Sequence, residues 1–227
     1  MSIDEINDKN ETLAKIAAQL SCPAGEEGIA MGEMMDETNI GMTLATLDNL
    51  SLGQVNSVLE IGHGNAGHLK LLFDRSNNLH YTGIEISETM SLQAKQINKD
   101  FITKQKAEFV LYNGGNVLPF DDGIFDRVFT VNTLYFWEAP LAFITDIFRV
   151  LRPGGSLLLT FAHKDFMEKL PFVKFGFRLY NPNDIADLLK STDFSIAEAK
   201  EHAEEVKSKT GELVVRQFSV LTIRRKV

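Results

Sequence analysis

The feature that most constrains the fold of this chain is an alternation, beginning at Val55, of short apolar runs with segments of helical periodicity. This alternation predicts parallel strands joined by crossover helices. The runs are almost wholly apolar, as expected for strands that helices cover on both faces. We predict strands at Ser57–Ile61, Tyr81–Ile86, Glu108–Tyr112, Arg127–Asn132 and Ser156–Phe161, and helices at His68–Arg75, Glu88–Ile102 and Pro140–Leu151.

The segments on either side of this alternation have a different character. The N-terminal segment is helical in pattern, and the C-terminal segment contains a strand that alternates enough to be an antiparallel addition. The flanking elements that we predict are helices at Ile6–Leu20, Gly28–Leu50 and Asn183–Ser191, and strands at Ser195–His202 and Leu213–Arg224. The sequence therefore predicts a helical extension at 1–54 and one α/β domain at 55–227.

Composition limits the partners and the compartment. The 227 residues include 23 Lys and Arg against 31 Asp and Glu, a net charge of −8. Nucleic-acid affinity depends largely on basic residues that displace phosphate counterions, so no nucleic-acid partner is expected. Cys22 is the only cysteine, which excludes an intrachain disulfide and fits the reducing cytoplasm. No apolar run approaches the roughly 20 residues that span a bilayer. We expect a cytoplasmic monomer or homodimer that does not bind a membrane.

The most informative segment is the Gly-rich turn after the first predicted strand, which contains Gly62, Gly64 and Gly67. Glycine is needed where a turn takes φ values that a Cβ disfavours and where a ligand lies against bare backbone. The spacing fits a dinucleotide fingerprint, with Glu85 as the acid about 20 residues further on, and an NAD-dependent oxidoreductase is one alternative. Glu60 favours S-adenosylmethionine instead, because a carboxylate beside the turn would hold a cationic amino-acid group and repel a pyrophosphate.

Three later motifs complete an ordered set of four with the Glu-x-Gly-x-Gly segment. They are Leu118-Pro119-Phe120, followed by Phe125-Asp126-x-Val128, and Arg149-Val150-Leu151-x-Pro153-Gly154-Gly155. In this order the motifs resemble those of the class I S-adenosylmethionine-dependent methyltransferases, in particular the small-molecule branch. The resemblance covers roughly residues 55–162. It implies a doubly wound, mostly parallel seven-stranded sheet in the order 3-2-1-4-5-7-6, with the last strand antiparallel and the cofactor over the carboxyl ends of the first strands.

The resemblance also implies a set of cofactor contacts. Glu60 and the turn at 62–64 would lie against the methionine part of the cofactor. Glu85 would accept hydrogen bonds from both ribose hydroxyls, and Asn132 would lie beside the sulfonium. The cofactor-binding residues predicted in this way are Glu60, Gly62, His63, Gly64, Glu85, Ile86, Asn116, Val117 and Asn132.

The chain departs from the family pattern at two positions. The third glycine of the usual Gly-x-Gly-x-Gly is Ala66, with glycine displaced to Gly67. The acid that commonly meets the adenine amino group is replaced by Gly114. The side-chain carbonyl of Asn116 or Asn113, or a backbone carbonyl, would take its place.

The sequence also offers candidates for the chemistry. Methyl transfer is an in-line displacement that positioning and exclusion of water can accelerate, so a base is optional. Among residues that follow the strand ends, we predict His163 as a general base, since an imidazole pKa near 6.5 suits proton removal. Tyr135 and Trp137 are predicted to line the acceptor pocket, to face the cation or to pack against the helical cover, whereas His63 packs or hydrogen-bonds near the cofactor. The segments Met34–Met42 and Phe166–Tyr180 are predicted either to cover the site or to make ordinary core contacts.

The leading hypothesis is a cytoplasmic S-adenosylmethionine-dependent methyltransferase that acts on a small, partly apolar molecule. An NAD-dependent oxidoreductase and a non-catalytic protein that binds S-adenosylmethionine are the alternatives. Nucleic-acid acceptors are disfavoured because Asn132-Thr133-Leu134-Tyr135 is not the Asn-Pro-Pro-Tyr segment that grips a flipped base in amino-methylating enzymes. In addition, the chain has no Pro-Cys nucleophile.

Overall fold

The structure is a computed structural model that describes residues 3–207 and 213–226. Its strands are β1 Ser57–Ile61, β2 His80–Glu85, β3 Ala107–Leu111, β4 Phe125–Val131, β5 Leu151–Ala162, β6 Phe194–Lys207 and β7 Leu213–Arg225. They form one seven-stranded sheet in the order β3-β2-β1-β4-β5-β7-β6. The strands from β3 to β5 pair in parallel, and β7 is antiparallel to both of its neighbours, β5 and β6. The predicted fold is therefore confirmed, including its strand order.

Helices cover the sheet and precede it. They are α1 Ile3–Ser21, α2 Gly25–Asn49, α3 Leu69–Arg75, α4 Glu88–Ile97, α5 Lys99–Thr103, α6 Pro140–Val150, α7 Lys164–Met167 and α8 Pro182–Leu189. Short 3₁₀ turns lie at Leu52–Gln54 and Leu134–Phe136. Within the described ranges, none of these helices combines the length and the apolar character that a bilayer crossing needs.

Two elements differ from their predicted bounds in ways that have a physical cause. The helix predicted over Glu88–Ile102 is two helices, α4 and α5, which meet at Asn98. The side-chain amide of Asn98 donates to the carbonyls of Ala94 and Ala66, at 3.0 Å each, and so ties the break to the Gly-rich turn. Strand β6 runs to Lys207, well beyond its predicted end, because β7 pairs with it along this whole length.

Helix α2 packs directly on the sheet and on α4. Met42 is fully buried and belongs to the same hydrophobic core as the strands. The hydroxyls of Thr46 and Thr160 lie 2.7 Å apart and join α2 to β5. A Cβ on Gly32 would come within 2.5 Å of the Met90 sulfur, so glycine allows α2 to approach α4 closely. These contacts hold α2 across one end of the sheet.

Candidate active site

The Gly-rich turn after β1 has an unusual backbone conformation. The φ angles of Gly62, Gly64 and Ala66 are +71°, +57° and +50°, in the left-handed region that favours glycine. A Cβ on Gly62 would come within 2.4 Å of the Thr133 methyl group, whereas a Cβ on Gly64 would meet nothing within 4 Å. Glycine is therefore favoured at 62 by both space and φ, and at 64 by φ alone.

Glu85, at the end of β2, fixes the position of this turn. It is 7% exposed, and its Oε2 accepts a hydrogen bond from the backbone amide of Gly64 at 2.9 Å. Its Oε1 accepts from the amides of Ile86 and Ser87, at 2.8 and 3.0 Å. Burial raises the pKa of Glu85 above its ordinary value, although the three amides favour the charged form. The carboxylate thus joins the turn to the beginning of α4.

Glu60, on β1, is held by two buried partners. The Tyr81 hydroxyl donates to its Oε2 at 2.6 Å, and His68 Nε2 lies 3.0 Å from the same oxygen. Burial alone would raise the pKa of Glu60, but the facing His68 and the two hydrogen bonds outweigh it and lower the pKa. Conversely, burial alone would lower the pKa of His68, and Glu60 raises it above the ordinary value. The two side chains form a buried ion pair beside the turn.

These groups lie around one cavity of about 320 Å³. Its floor consists of the turns after β1 and β2, and a second side is aromatic. The third side is one face of α2, which presents polar residues at helical spacing. The aromatic side consists of Phe136, Trp137 and Phe143, and the α2 side consists of Met35, Asp36, Asn39 and Thr43.

Most of the predicted cofactor-binding residues meet at this cavity. Val117 does not line it: its side chain is 70% exposed, and its carbonyl accepts a hydrogen bond from Tyr112 at 3.0 Å. The predicted residues that line the cavity are Glu60, Gly62, His63, Gly64, Glu85, Ile86, Asn116 and Asn132. Glu60 and Glu85 therefore face a common space, and their contacts with the cofactor stay predictions.

The charge of the cavity favours a cationic ligand. Among the described residues that line it, four carry carboxylates and none is Lys or Arg. The carboxylates belong to Asp36, Glu60, Glu85 and Glu138. A sulfonium compound with an ammonium group fits this cavity better than a pyrophosphate does, because the carboxylates would repel the negative charges of the pyrophosphate.

The buried side chain of His63 presents a hydrogen-bond acceptor, Nε2, beside the turn. Its Nδ1 lies 2.7 Å from the carbonyl oxygen of Gly64, whereas its Nε2 is buried with no hydrogen-bond partner among the described residues. Burial lowers the pKa of His63 to about 4, so the ring is neutral at neutral pH. With the proton on Nδ1, Nε2 is an acceptor.

The predicted catalytic pair does not reach the cavity. Tyr135 is 2% exposed, and its hydroxyl accepts from the amide of Ala162 at 2.7 Å and lies 3.0 Å from Asn132 Oδ1. His163 Nε2 lies 2.7 Å from the Ser219 hydroxyl on β7. Both residues follow strand ends, as the sequence indicates, but neither is among the described residues that line the cavity. Their catalytic roles stay predictions.

The predicted cover segments also differ in their outcome. In the segment Met34–Met42, Met35 lines the cavity and Met42 lies in the core. The segment Phe166–Tyr180 contributes none of the described lining residues. Instead, the Phe177 ring packs behind Phe136, with ring centroids 4.7 Å apart.

Sequence reasoning missed the polar face of α2. Asp36, Asn39 and Thr43 have the i, i+3, i+7 spacing that places residues on one side of a helix, and this spacing is the signal that could have found them. Asn39 is the best connected of the three, since its Oδ1 accepts from Asn132 Nδ2 at 3.0 Å. Arg216 Nη1, on β7, donates to the same oxygen at 3.0 Å.

Comparison with known proteins agrees with this site. A family described as "Methyltransferase domain" matches residues 59–159. An uncharacterized methyltransferase, YdaC of Bacillus subtilis, is 27% identical over 130 residues, which are 57% of this chain and 68% of that protein. A fatty-acid O-methyltransferase of Mycolicibacterium smegmatis is 33% identical over 104 residues, which are 45% of this chain but only 36% of that protein.

A solved structure shares the fold. It is a SAM-dependent methyltransferase from Aquifex aeolicus, with a TM-score of 0.64 and 19% identity, and the likeness covers 86% of this chain and 97% of that one. Together with the glycine turn and the acidic cavity, these similarities define the class. Residues 59–159 form a methyltransferase domain, and the fold is that of an S-adenosylmethionine-dependent methyltransferase, which implies S-adenosylmethionine as the cofactor. The NAD interpretation of the glycine spacing is thereby disfavoured.

Proposed function

We propose that this chain transfers a methyl group from S-adenosylmethionine to a small molecule with a partly apolar surface. The observation that supports the proposal is a cavity in which the glycine turn faces an aromatic side. When bound, the cofactor supplies an electrophilic methyl group on a sulfonium. Phe136, Trp137 and Phe143 provide the apolar surface that favours an acceptor with apolar character.

The residues of this chain would act mainly by positioning. Neither His163 nor Tyr135 lines the cavity, so no general base is assigned to them. Helix α2 covers the space between the turn and the aromatic side, which would exclude water from the reaction. Orientation of the acceptor in such a covered site can provide much of the acceleration of a displacement reaction.

The proposal extends to domain organisation, partners and location. Residues 1–54, which include α1 and α2, would act as the cover of the domain at 55–227. A nucleic-acid acceptor is not proposed, because the net charge is −8 and the described cavity residues include no Lys or Arg. The single Cys22 fits the cytoplasm, where the chain would act as a monomer or homodimer.

The proposal is tested by measuring S-adenosylhomocysteine release with a panel of small hydroxyl, amine and thiol compounds of graded apolar size. We expect Phe136→Ala to raise KM for the best acceptor about 10-fold, since it removes apolar contact, while the affinity for S-adenosylhomocysteine stays unchanged. Phe175→Ala is the control, because Phe175 does not line the cavity. Cofactor binding without turnover of any compound would instead favour a non-catalytic cofactor-binding protein.

A further inference from the structure

The side chain of Asp36 on α2 is a carboxylate without a hydrogen-bond donor in the described part of the chain. It lines the cavity and is 33% exposed. The basic group that faces Asp36 is the ring of His68. Its Nδ1 lies 3.9 Å from Asp36 Oδ1, which is beyond hydrogen-bond distance. Burial raises the pKa of Asp36, and His68 only partly opposes this shift. A partly buried carboxylate that lacks a hydrogen-bond donor is suited to a cationic ligand.

The Asp36 carboxylate lies directly on the glycine turn. A Cβ on Gly67 would come within 2.5 Å of Asp36 Oδ2, so the absence of a side chain at 67 is what lets the carboxylate rest there. Glycine at 67 therefore has a structural reason other than the close approach of a phosphate group to the backbone. It makes room for an acid from the cover helix.

Glu60, the other acid beside the turn, is already engaged. It is 3% exposed, and Tyr81 and His68 both contact its Oε2. The His68 ring lies at hydrogen-bond distance from Glu60, whereas its other nitrogen is 3.9 Å from Asp36. Of these two carboxylates, Asp36 has the greater capacity to accept hydrogen bonds from a further cation.

We propose that Asp36 binds the ammonium group at the amino-acid end of the cofactor. This inference rests on the assignment of S-adenosylmethionine as cofactor and names a residue that the glycine motif does not contain. The two nitrogens of the His68 ring face Asp36 and Glu60, so Asp36 lies at the end of the site where Glu60 is predicted to meet the methionine part of the cofactor. The bound cofactor would then link α2 to the turn.

The test compares two ligands that differ in the amino-acid group. S-adenosylhomocysteine carries the ammonium and carboxylate of the amino acid, whereas 5′-methylthioadenosine has the same nucleoside with a methyl thioether and lacks both groups. We expect Asp36→Asn to weaken binding of S-adenosylhomocysteine about 10-fold in calorimetry and to leave 5′-methylthioadenosine unchanged. Unchanged binding of the second ligand also shows that the variant folds.

The matched control is Glu37→Gln, which removes the same charge from the adjacent, exposed position of α2. It should bind both ligands as the wild-type protein does. An equal loss for both ligands in Asp36→Asn would overturn the proposal, because it would indicate that Asp36 only supports the turn. Undiminished binding of S-adenosylhomocysteine by Asp36→Asn would also overturn it. If the variant instead lost activity only with amine-bearing acceptors, Asp36 would bind the ammonium of the acceptor and not that of the cofactor. If the wild-type protein bound neither ligand, the cofactor assignment itself would fail.

Discussion

The floor of the cavity and its cover are held by different kinds of contact. At the floor, Glu85 accepts hydrogen bonds from three backbone amides. One belongs to Gly64 in the glycine turn, and the other two belong to Ile86 and Ser87, which directly follow β2. At the cover, Arg216 on β7 donates to the carbonyl of Thr38 at 2.6 Å and to Asn39 Oδ1 at 3.0 Å, and pairs with Glu204 at 2.7 Å. The floor is thus fixed by main-chain geometry, and the cover by side chains that reach across the sequence.

The largest expected effect comes from removing the acid of the floor. We expect Glu85→Ala to weaken S-adenosylhomocysteine binding by about 100-fold or more, because two charge-assisted hydrogen bonds to the ribose, of about 1.5–3 kcal/mol each, would be lost. Loss of the anchored Gly64 amide would add to the effect. Calorimetry on the purified variant measures it.

Glu108→Ala is the control for this variant, since Glu108 is an exposed carboxylate on the neighbouring strand β3. Glu85→Gln should give an intermediate loss, because it keeps an oxygen for the amides but removes the charge. A loss of less than about threefold in Glu85→Ala would contradict a ribose contact and would make the carboxylate a purely structural part of the floor.

The same contrast explains which parts of the molecule the sequence could predict. The glycine turn, Glu60 and Glu85 are adjacent to apolar strands, so local spacing places them at one sheet edge. Strand order follows from the resemblance to a known family. The contact between Asn39 and Arg216 joins residues 177 positions apart, and no local pattern indicates it.

His163 and Tyr135 show the other limit of sequence reasoning. Their position after a strand is readable from the sequence, but the direction of each side chain depends on partners such as Ser219 and Ala162. Ser219 lies on β7 and Ala162 lies at the end of β5, so these contacts form only when the strands pack in the folded sheet.

A second prediction concerns the close approach of the floor to the turn after β4. We expect Gly62→Ala to lower the free energy of unfolding by about 2 kcal/mol, because a Cβ there combines a left-handed φ with an overlap on the Thr133 methyl group. In a Thr133→Ser background the methyl group is absent and the hydroxyl is kept, so the cost should fall to about 1 kcal/mol. Urea unfolding of the four proteins gives this double-mutant cycle. Strictly additive effects would show that the overlap is not what requires glycine.

The smallest expected effect tests the cover alone. Lysine at 216 would keep the charge that faces Glu204 but would lose the planar fork that reaches Thr38 and Asn39 together. We expect Arg216→Lys to cost about 1 kcal/mol and to raise amide hydrogen exchange in α2 roughly fivefold, while exchange in the glycine turn and binding of 5′-methylthioadenosine stay unchanged. Arg224→Lys makes the same substitution at an exposed position of β7 and should alter neither measurement. If exchange rose equally in the turn and in α2, the floor and the cover would open as one unit, and the distinction between their contacts would have no consequence for the motion of the site.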